Sequence, residues 1–152
     1  MAELDIRLVE DALDAAAANA EFVAAHGAAG AVATFAGMVR TEAGAVDHLY
    51  LDWYPGMTEA SFREIAEAAA ARFDVSALAV HHRCGRVDAG QAIVFIAAAS
   101  RHRRAALQAV DYAMDRLKSE AALWKREGGR DGERWVEPRA EDLKDLERWT
   151  HE

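Results

Sequence analysis

The stretch QAIVFIAAASRHRRAALQAVDYAMDRLKSEAALWKRE, residues 91–127, decides the fold, because it is typical of a strand, a helix and a second strand in succession. Residues 91–100 are an apolar, β-branched run that predicts a buried strand. Ser100 then offers an N-cap for a helix over 101–120. Apolar side chains recur on this helix at spacings of three and four, at Leu107, Val110, Met114 and Leu117. Residues 122–127 return to a strand.

The segments on either side of this stretch mix strands and helices without a strict alternation. We predict strands over 4–10, 30–40, 46–56 and 76–85, and helices over 11–27, 57–73 and 140–149. Thr58 is the predicted N-cap of the second of these helices. Residues 41–45 are a predicted loop, and the strands 122–127 and 133–137 flank a glycine-rich hairpin loop over 128–132. This order predicts an α+β fold with a mixed or antiparallel sheet, packed helices and a small β-hairpin region near the C-terminus.

Composition predicts one soluble globular domain over residues 1–152. The chain is 52% hydrophobic and 29% charged, and no apolar run approaches the length of a membrane span. Its N-terminus is acidic and lacks the pattern of a signal peptide, so we expect a cytoplasmic protein. The formal net charge of −8 argues against non-specific binding to nucleic acid.

The single cysteine and the histidine pair limit the chemistry that is open to the chain. Cys84 alone excludes an intramolecular disulfide and a cysteine-only zinc site, and is either a nucleophile or a small apolar filler near a strand end. His81 and His82 are adjacent on a predicted strand, so their side chains point to opposite faces and do not bind one ion together. We therefore predict no metal site.

Four consecutive cationic or imidazole side chains, Arg101 to Arg104, follow Ser100 at the predicted start of the long helix. The helix dipole and its unpaired N–H groups already make that end positive, so the cluster is unfavourable unless something negative lies beside it. A bound phosphate would supply that charge. The alternatives are ion pairs within this acidic chain or a solvated basic face.

Two lysines follow at the other end of the helix. Lys118 near a helix C-terminus is electrostatically ordinary, whereas Lys125 lies between Trp124 and Arg126 on a strand and points opposite to both. If Lys118 and Lys125 face each other, their repulsion lowers the pKa of at least one, which suits proton transfer or covalent catalysis.

Helix geometry then separates the two groups of cations. Lys118 is fifteen residues from Arg103 on the predicted helix, or about 22 Å. One small ligand cannot bridge that distance within a chain. If both ends of the helix contact the same ligand, the N-terminal end must come from a second copy of the chain, which predicts a homodimer whose site is shared between the two chains.

Arg40 ends the apolar strand over 30–40, and Gly37 precedes it by three residues. Glycine allows another backbone to approach closely. An arginine at a strand end is also a common solvated boundary residue.

Four motifs in order resemble the catalytic (large) subunit family of molybdopterin synthase. They are GAVATFAGMVR (30–40), YPGMTE (54–59), HHRCGRVDAGQAIVFIAAASRHRRAALQAVDYAMDRLKSEAALWKRE (81–127) and GERWVE (132–137). The resemblance implies a hammerhead-like α+β fold and a sulfurtransferase of molybdenum cofactor biosynthesis. The implied reaction moves sulfur from the C-terminal thiocarboxylate of a small ubiquitin-like subunit to cyclic pyranopterin monophosphate, which makes the dithiolene of molybdopterin.

The resemblance also implies the assembly and the site residues. Two large subunits form a central homodimer with a small subunit at each end, giving a heterotetramer that needs no cofactor. Lys118 and Lys125 match the family's catalytic lysines. The implied substrate-binding residues are Met38, Val39, Arg40, His102, Arg103, Lys118, Lys125, Arg126 and Glu127. Met38 departs from the family, where a basic residue is common.

Two other functions fit the same cations. One is a non-catalytic homodimer that binds a phosphorylated metabolite, which would not need an amine of lowered pKa. The other is a phosphate-ester hydrolase that uses His102, although no carboxylate or second histidine lies at a diagnostic spacing from it.

Overall fold

The computed structural model describes residues 1–40, 46–130 and 132–150, so the predicted loop over 41–45 lies outside the described residues. The strands are β1 (Glu3–Val9), β2 (Ala31–Met38), β3 (His48–Trp53), β4 (Ala77–Arg83), β5 (Gly85–Asp88), β6 (Ala92–Ser100), β7 (Leu123–Gly129) and β8 (Gly132–Val136). The helices are α1 (Ala15–Ala25), α2 (Met57–Arg72), α3 (Arg103–Glu120) and α4 (Ala140–Glu147), and a 3₁₀ turn follows at Arg148–Thr150. Within these ranges, no helix combines the length and apolar content that a membrane crossing requires.

The first sheet has the strand order β1-β4-β6-β2 and is covered by helices on both faces. β1 and β4 are parallel, and the other pairs are antiparallel. Alternate residues of β4 and β6 meet Phe22 of α1 on one face, and the residues between them meet Phe62 and Ile65 of α2 on the other. The predicted α+β class with packed helices is therefore confirmed.

The second sheet contains the predicted C-terminal hairpin. Its strand order is β5-β3-β7-β8, all antiparallel, so the hairpin of β7 and β8 extends a sheet that begins with β3. The predicted strand over 76–85 is β4, which ends at Arg83, and Gly85, with a φ of 76°, begins a further short strand, β5, that was not predicted. β4 belongs to the first sheet and β5 to the second.

The predicted N-cap at Ser100 is wrong. Ser100 is the last residue of β6, and α3 begins at Arg103 with His102 at the N-cap position. The Ser100 hydroxyl donates to the carbonyl of Asp74 at 2.6 Å and accepts from the His102 N–H at 3.3 Å. Ser100 thus ties the start of α3 to the end of α2 without capping the helix.

The predicted N-cap at Thr58 is also wrong. Gly56, with a φ of 87°, is the N-cap of α2, and Thr58 is the second residue of the helix and is fully buried. The Thr58 hydroxyl accepts from the Tyr54 N–H at 3.0 Å and donates to the Ala122 carbonyl at 2.7 Å. This side chain therefore joins α2 to the segment between α3 and β7.

The buried face of α3 differs from the predicted stripe at Leu107, which is 60% exposed. Val110 and Leu117 are buried as predicted, and small residues complete the face. Those residues are Ala106, Ala109 and Ala113. At 100° per residue, Leu107 lies about 120° around the helix axis from the middle of this face. A search for large apolar residues misplaces the face because alanines form much of it.

Candidate active site

A recess of about 870 Å³ lies where the end of β2, the last turn of α3, β7 and the segment after β8 meet. Four cationic side chains line it: Arg40, Lys118, Lys125 and Arg139. Three carboxylates line it as well: Glu127, Glu137 and Asp142. The recess is thus locally positive in a chain whose net charge is −8. This balance favours an anionic ligand.

Both predicted lysines line this recess. Lys118 lies in the last turn of α3, and the chain then passes through Ala121, the helix C-cap, into β7. Lys125 is the third residue of β7 and pairs with Leu51 of β3 and Val136 of β8. The short connection from helix to strand therefore brings the two ammonium groups into one cavity.

Lys125 has a lowered pKa. Burial is the largest cause, and the charge of Lys118 lowers the pKa of Lys125 further, whereas Asp142 raises it. The repulsion is the one expected if the two lysines face each other, and the larger effect of burial was not foreseen. An amine of lowered pKa exchanges a proton more readily near neutral pH than an ordinary lysine does.

Asp142 is a member of the site that sequence analysis missed. It is 8% exposed at the start of α4, and its Oδ1 lies 3.9 Å from Nζ of Lys118. Its Oδ2 accepts from the Arg139 N–H at 3.0 Å, which is a helix-capping contact. An acidic residue near a helix start is ordinary in sequence, so only the tertiary fold shows that Asp142 faces the lysines.

The end of β2 places Met38, Val39 and Arg40 at the recess. Met38 is 53% exposed, whereas Val39 is buried and its N–H donates to the Gln91 carbonyl at 2.9 Å. The pairing of β2 with β6 shifts register between Gly37 and Met38, which ends the regular ladder there.

Gly37 has a different role from the one predicted. A Cβ atom at this position would lie 2.7 Å from Cγ1 of Val94 on β6. The close approach at Gly37 is therefore by a side chain of the neighbouring strand rather than by a backbone. A larger residue at 37 would therefore require Val94 or the backbone of β2 to shift beside the recess.

Glu127 and Arg126 lie on opposite faces of β7. Glu127 lines the recess and accepts from Arg134 at 3.0 Å. Arg126 points away from Lys125, as the alternation predicted, and makes two hydrogen bonds to Asp52 at 2.9 and 3.1 Å. Its guanidinium lies between the rings of Tyr50 and Trp135, at 4.4 and 5.5 Å from their centroids. The structure therefore does not bring Arg126 to the recess with the two lysines.

His102 and Arg103 lie at the opposite end of α3 and are exposed. Within residues 1–40, 46–130 and 132–150, the side chains of Arg101 to Arg104 make no ion pair in this chain. The single chain does not bring His102 and Arg103 to the recess, because Arg103 and Lys118 are about 22 Å apart along the helix.

Cys84 and the two histidines are buried close to one another along β4 and its end. Burial raises the pKa of the Cys84 thiol to about 11, which fits an apolar filler and not a nucleophile. His81 and His82 point to opposite faces, as predicted. His81 meets Asp5 at 3.1 Å, and His82 lines the recess, which sequence analysis did not foresee. The part of the chain that the structure describes contains no group of three potential metal ligands.

Comparisons with known proteins agree with this fold. A family model described as MoaE protein matches residues 8–120. The molybdopterin synthase catalytic subunit of Caulobacter vibrioides is 49% identical over 86% of this chain and 87% of its own length. The solved MoaE protein of Burkholderia ambifaria has a TM-score of 0.79 and 38% identity, covering both chains completely.

A more distant structure supports the fold alone. It is a complex of subunits 1 and 2 of molybdopterin-converting factor from Helicobacter pylori, with a TM-score of 0.72 and 24% identity over 90% of this chain and 91% of that chain. The family match and the 49% identity are both well beyond chance similarity. The chain belongs to the MoaE family, whose curated members are named as catalytic subunits of molybdopterin synthase.

Proposed function

We propose that this chain is the catalytic subunit of a molybdopterin synthase. In the proposed reaction, sulfur passes from the C-terminal thiocarboxylate of a small ubiquitin-like subunit to cyclic pyranopterin monophosphate, forming the dithiolene of molybdopterin. The observation that supports this most strongly is the recess in which Lys118 and Lys125 meet beside Arg40. The family assignment supports the same reaction.

The two lysines have different positions and therefore different proposed roles. The Lys118 side chain is 41% exposed, so it is accessible to an entering peptide tail and can polarise the thiocarboxylate. Lys125 is the amine with the lowered pKa and is suited to proton exchange and to stabilising the negative charge that develops on the substrate. Arg40 at the end of β2 supplies a further cation to hold the substrate.

The proposed active unit contains two copies of this chain. His102 and Arg103 are exposed at the far end of α3, where the helix N-terminus and the arginines together suit a phosphate. Since one chain cannot bring them to its own lysines, we propose that each recess receives them from the other copy of a homodimer. A small subunit at each end would complete a heterotetramer, which agrees with the word subunit in the relatives' names. A cytoplasmic location is part of the proposal and rests on the family alone.

The test combines the purified chain with a thiocarboxylated ubiquitin-like subunit and cyclic pyranopterin monophosphate, and detects the product by mass spectrometry. The proposal predicts a product that carries two additional sulfur atoms. Binding of the pterin without any sulfur transfer would instead indicate the non-catalytic binder of a phosphorylated metabolite. A subunit that ends in an ordinary carboxylate is the matched control, since it can dock but carries no sulfur.

A further inference from the structure

We infer that His82 contacts the pterin part of the substrate and accepts a hydrogen bond at Nε2 from one of its N–H or O–H groups. This inference rests on the proposed function and adds a substrate-contacting residue to the same recess. The residue was not among the predicted site residues, and its neighbour His81 points away from the recess to Asp5.

The tautomer of His82 follows from its hydrogen bond. His82 is 6% exposed near the end of β4, and its Nδ1 lies 2.7 Å from the carbonyl of Arg83. A carbonyl only accepts, so Nδ1 carries the proton and donates it to this bond. In a neutral imidazole the other nitrogen, Nε2, then bears a lone pair and is an acceptor.

The imidazole is held in one orientation from two sides. Its ring stacks on Phe62 of α2, with the centroids 5.4 Å apart and the planes at 29°. The residue that supplies its carbonyl partner is itself fixed, because the Arg83 guanidinium donates to the carbonyls of Glu10 and Arg86 at 3.0 and 2.8 Å. A side chain fixed in this way can orient a substrate without losing much freedom when the substrate binds.

Nε2 of His82 is an open acceptor. It has no hydrogen-bond partner within the described residues. The side-chain atoms there that are both inaccessible to solvent and without a partner are Nε of Arg83 and Oγ of Ser119. Since Nε2 of His82 is not one of them, it keeps some accessible surface, and the cavity that His82 lines is the recess. Two of the carboxylates there are already engaged, Glu127 by Arg134 and Asp142 by Lys118 and the Arg139 N–H.

The imidazole is also uncharged at physiological pH, because burial and the nearby Lys125 lower the pKa of His82 to about 4. It is therefore an acceptor and not a fifth cation. A pterin ring carries amide and amine N–H donors, which need hydrogen-bond acceptors, whereas its phosphate needs cations. The recess thus offers Lys118, Lys125 and Arg40 to the anionic groups and His82 to the heterocycle.

Steady-state kinetics of the complex with the thiocarboxylated small subunit test the inference. The His82→Asn variant keeps a donor close to the position of Nδ1 and removes the acceptor at Nε2. Loss of one neutral hydrogen bond should raise KM for the cyclic pterin about fivefold while kcat changes less than about twofold. His82→Gln, which can place an amide oxygen near the position of Nε2, should recover most of the affinity. His81→Asn, on the opposite face of β4, is the matched control and should leave KM unchanged.

A second measurement needs no variant. The ¹⁵N resonance of His82 Nε2 in the wild-type protein should shift upfield when cyclic pyranopterin monophosphate is added, as expected when a lone pair accepts a hydrogen bond. If the wild type is active and His82→Asn has the same KM for the cyclic pterin, the inference is wrong. An Nε2 resonance that does not move at saturating pterin would also overturn it. A wild-type chain that binds pterin but transfers no sulfur would overturn the proposed function instead.

Discussion

Acid should destabilise this protein through His82, because that imidazole is neutral in the folded chain and free to take up a proton in the unfolded chain. Burial, and secondarily Lys125, lower the pKa of His82 from an ordinary value of 6.5 to about 4. Between these two values the unfolded chain binds more protons than the folded chain. The free energy of unfolding therefore falls as the pH falls from 6.5 toward 4.

The size of the effect follows from the two pKa values. A pKa difference of this size corresponds to roughly 3 kcal/mol when the whole titration window is crossed. Between pH 7 and pH 5, where the folded imidazole stays mostly neutral, the expected loss is about 2 kcal/mol. For a chain of this length such a loss lowers Tm by about 4–8 °C.

Urea denaturation at pH 7 and pH 5 measures this effect in the wild type and in His82→Asn. The asparagine amide does not titrate in this range, so the difference between the two proteins isolates His82 from the other five histidines. We expect the wild type to lose about 2 kcal/mol more than the variant on going from pH 7 to pH 5. Equal losses in the two proteins would refute the conclusion that His82 is buried in its neutral form.

Three further substitutions test separate parts of the structure. Lys118→Ala should abolish dithiolene formation while the circular dichroism spectrum and the oligomeric state stay unchanged, and a variant that retains more than about a tenth of the wild-type kcat would contradict the role of Lys118. Phe62→Ala should lower the free energy of unfolding by about 4 kcal/mol in urea titrations, since Phe62 is completely buried, and a loss below about 1 kcal/mol would show that the core is packed differently. Thr58→Val should cost about 2 kcal/mol, measured as a lowered Tm, because the Tyr54 N–H and the Ala122 carbonyl lose their hydroxyl partner; an unchanged Tm would mean that this link does not contribute.

Local patterns in the sequence predicted the parts of the fold that depend on neighbouring residues. The apolar run at 91–100 is β6, and strand alternation correctly placed Lys125 and Arg126 on opposite faces of β7. The lengths of α2 and α3 were also predicted within about two residues, because amphipathic or alanine-rich segments of that length have few other stable conformations.

Features that depend on contacts between distant segments were predicted less well. Ser100 and Thr58 have the chemistry of helix caps, but each hydroxyl bonds a carbonyl far along the chain, Asp74 for Ser100 and Ala122 for Thr58. Leu107 fits an apolar stripe by spacing and is nevertheless exposed, because alanines form the packed face of α3. In each case tertiary packing outweighed the local preference.

The candidate site shows the same difference between features that depend on neighbouring residues and features that depend on distant segments. Lys118 and Lys125 are close in sequence, one on a predicted helix and one on a predicted strand, so a site that contains both could be considered from the sequence. Asp142 and His82 reach the recess from α4 and β4, which are far from the lysines in sequence. An acidic residue near a helix start and one of two adjacent histidines are both ordinary in sequence. Only the packing of the helices and strands shows that Asp142 and His82 face a cavity.

We propose that each active site combines the lysines of one copy with the N-terminal end of α3 from the other. One measurement co-expresses the Lys118→Ala and Arg103→Ala chains, each of which should be inactive in its own homodimer, and assays dithiolene formation with the thiocarboxylated subunit. Activity should recover to about a quarter of the wild-type level, because random pairing makes half of the dimers mixed and each mixed dimer has one intact site. Activity that stays at the level of the two separate variants, or an Arg103→Ala homodimer with wild-type activity, would contradict the account.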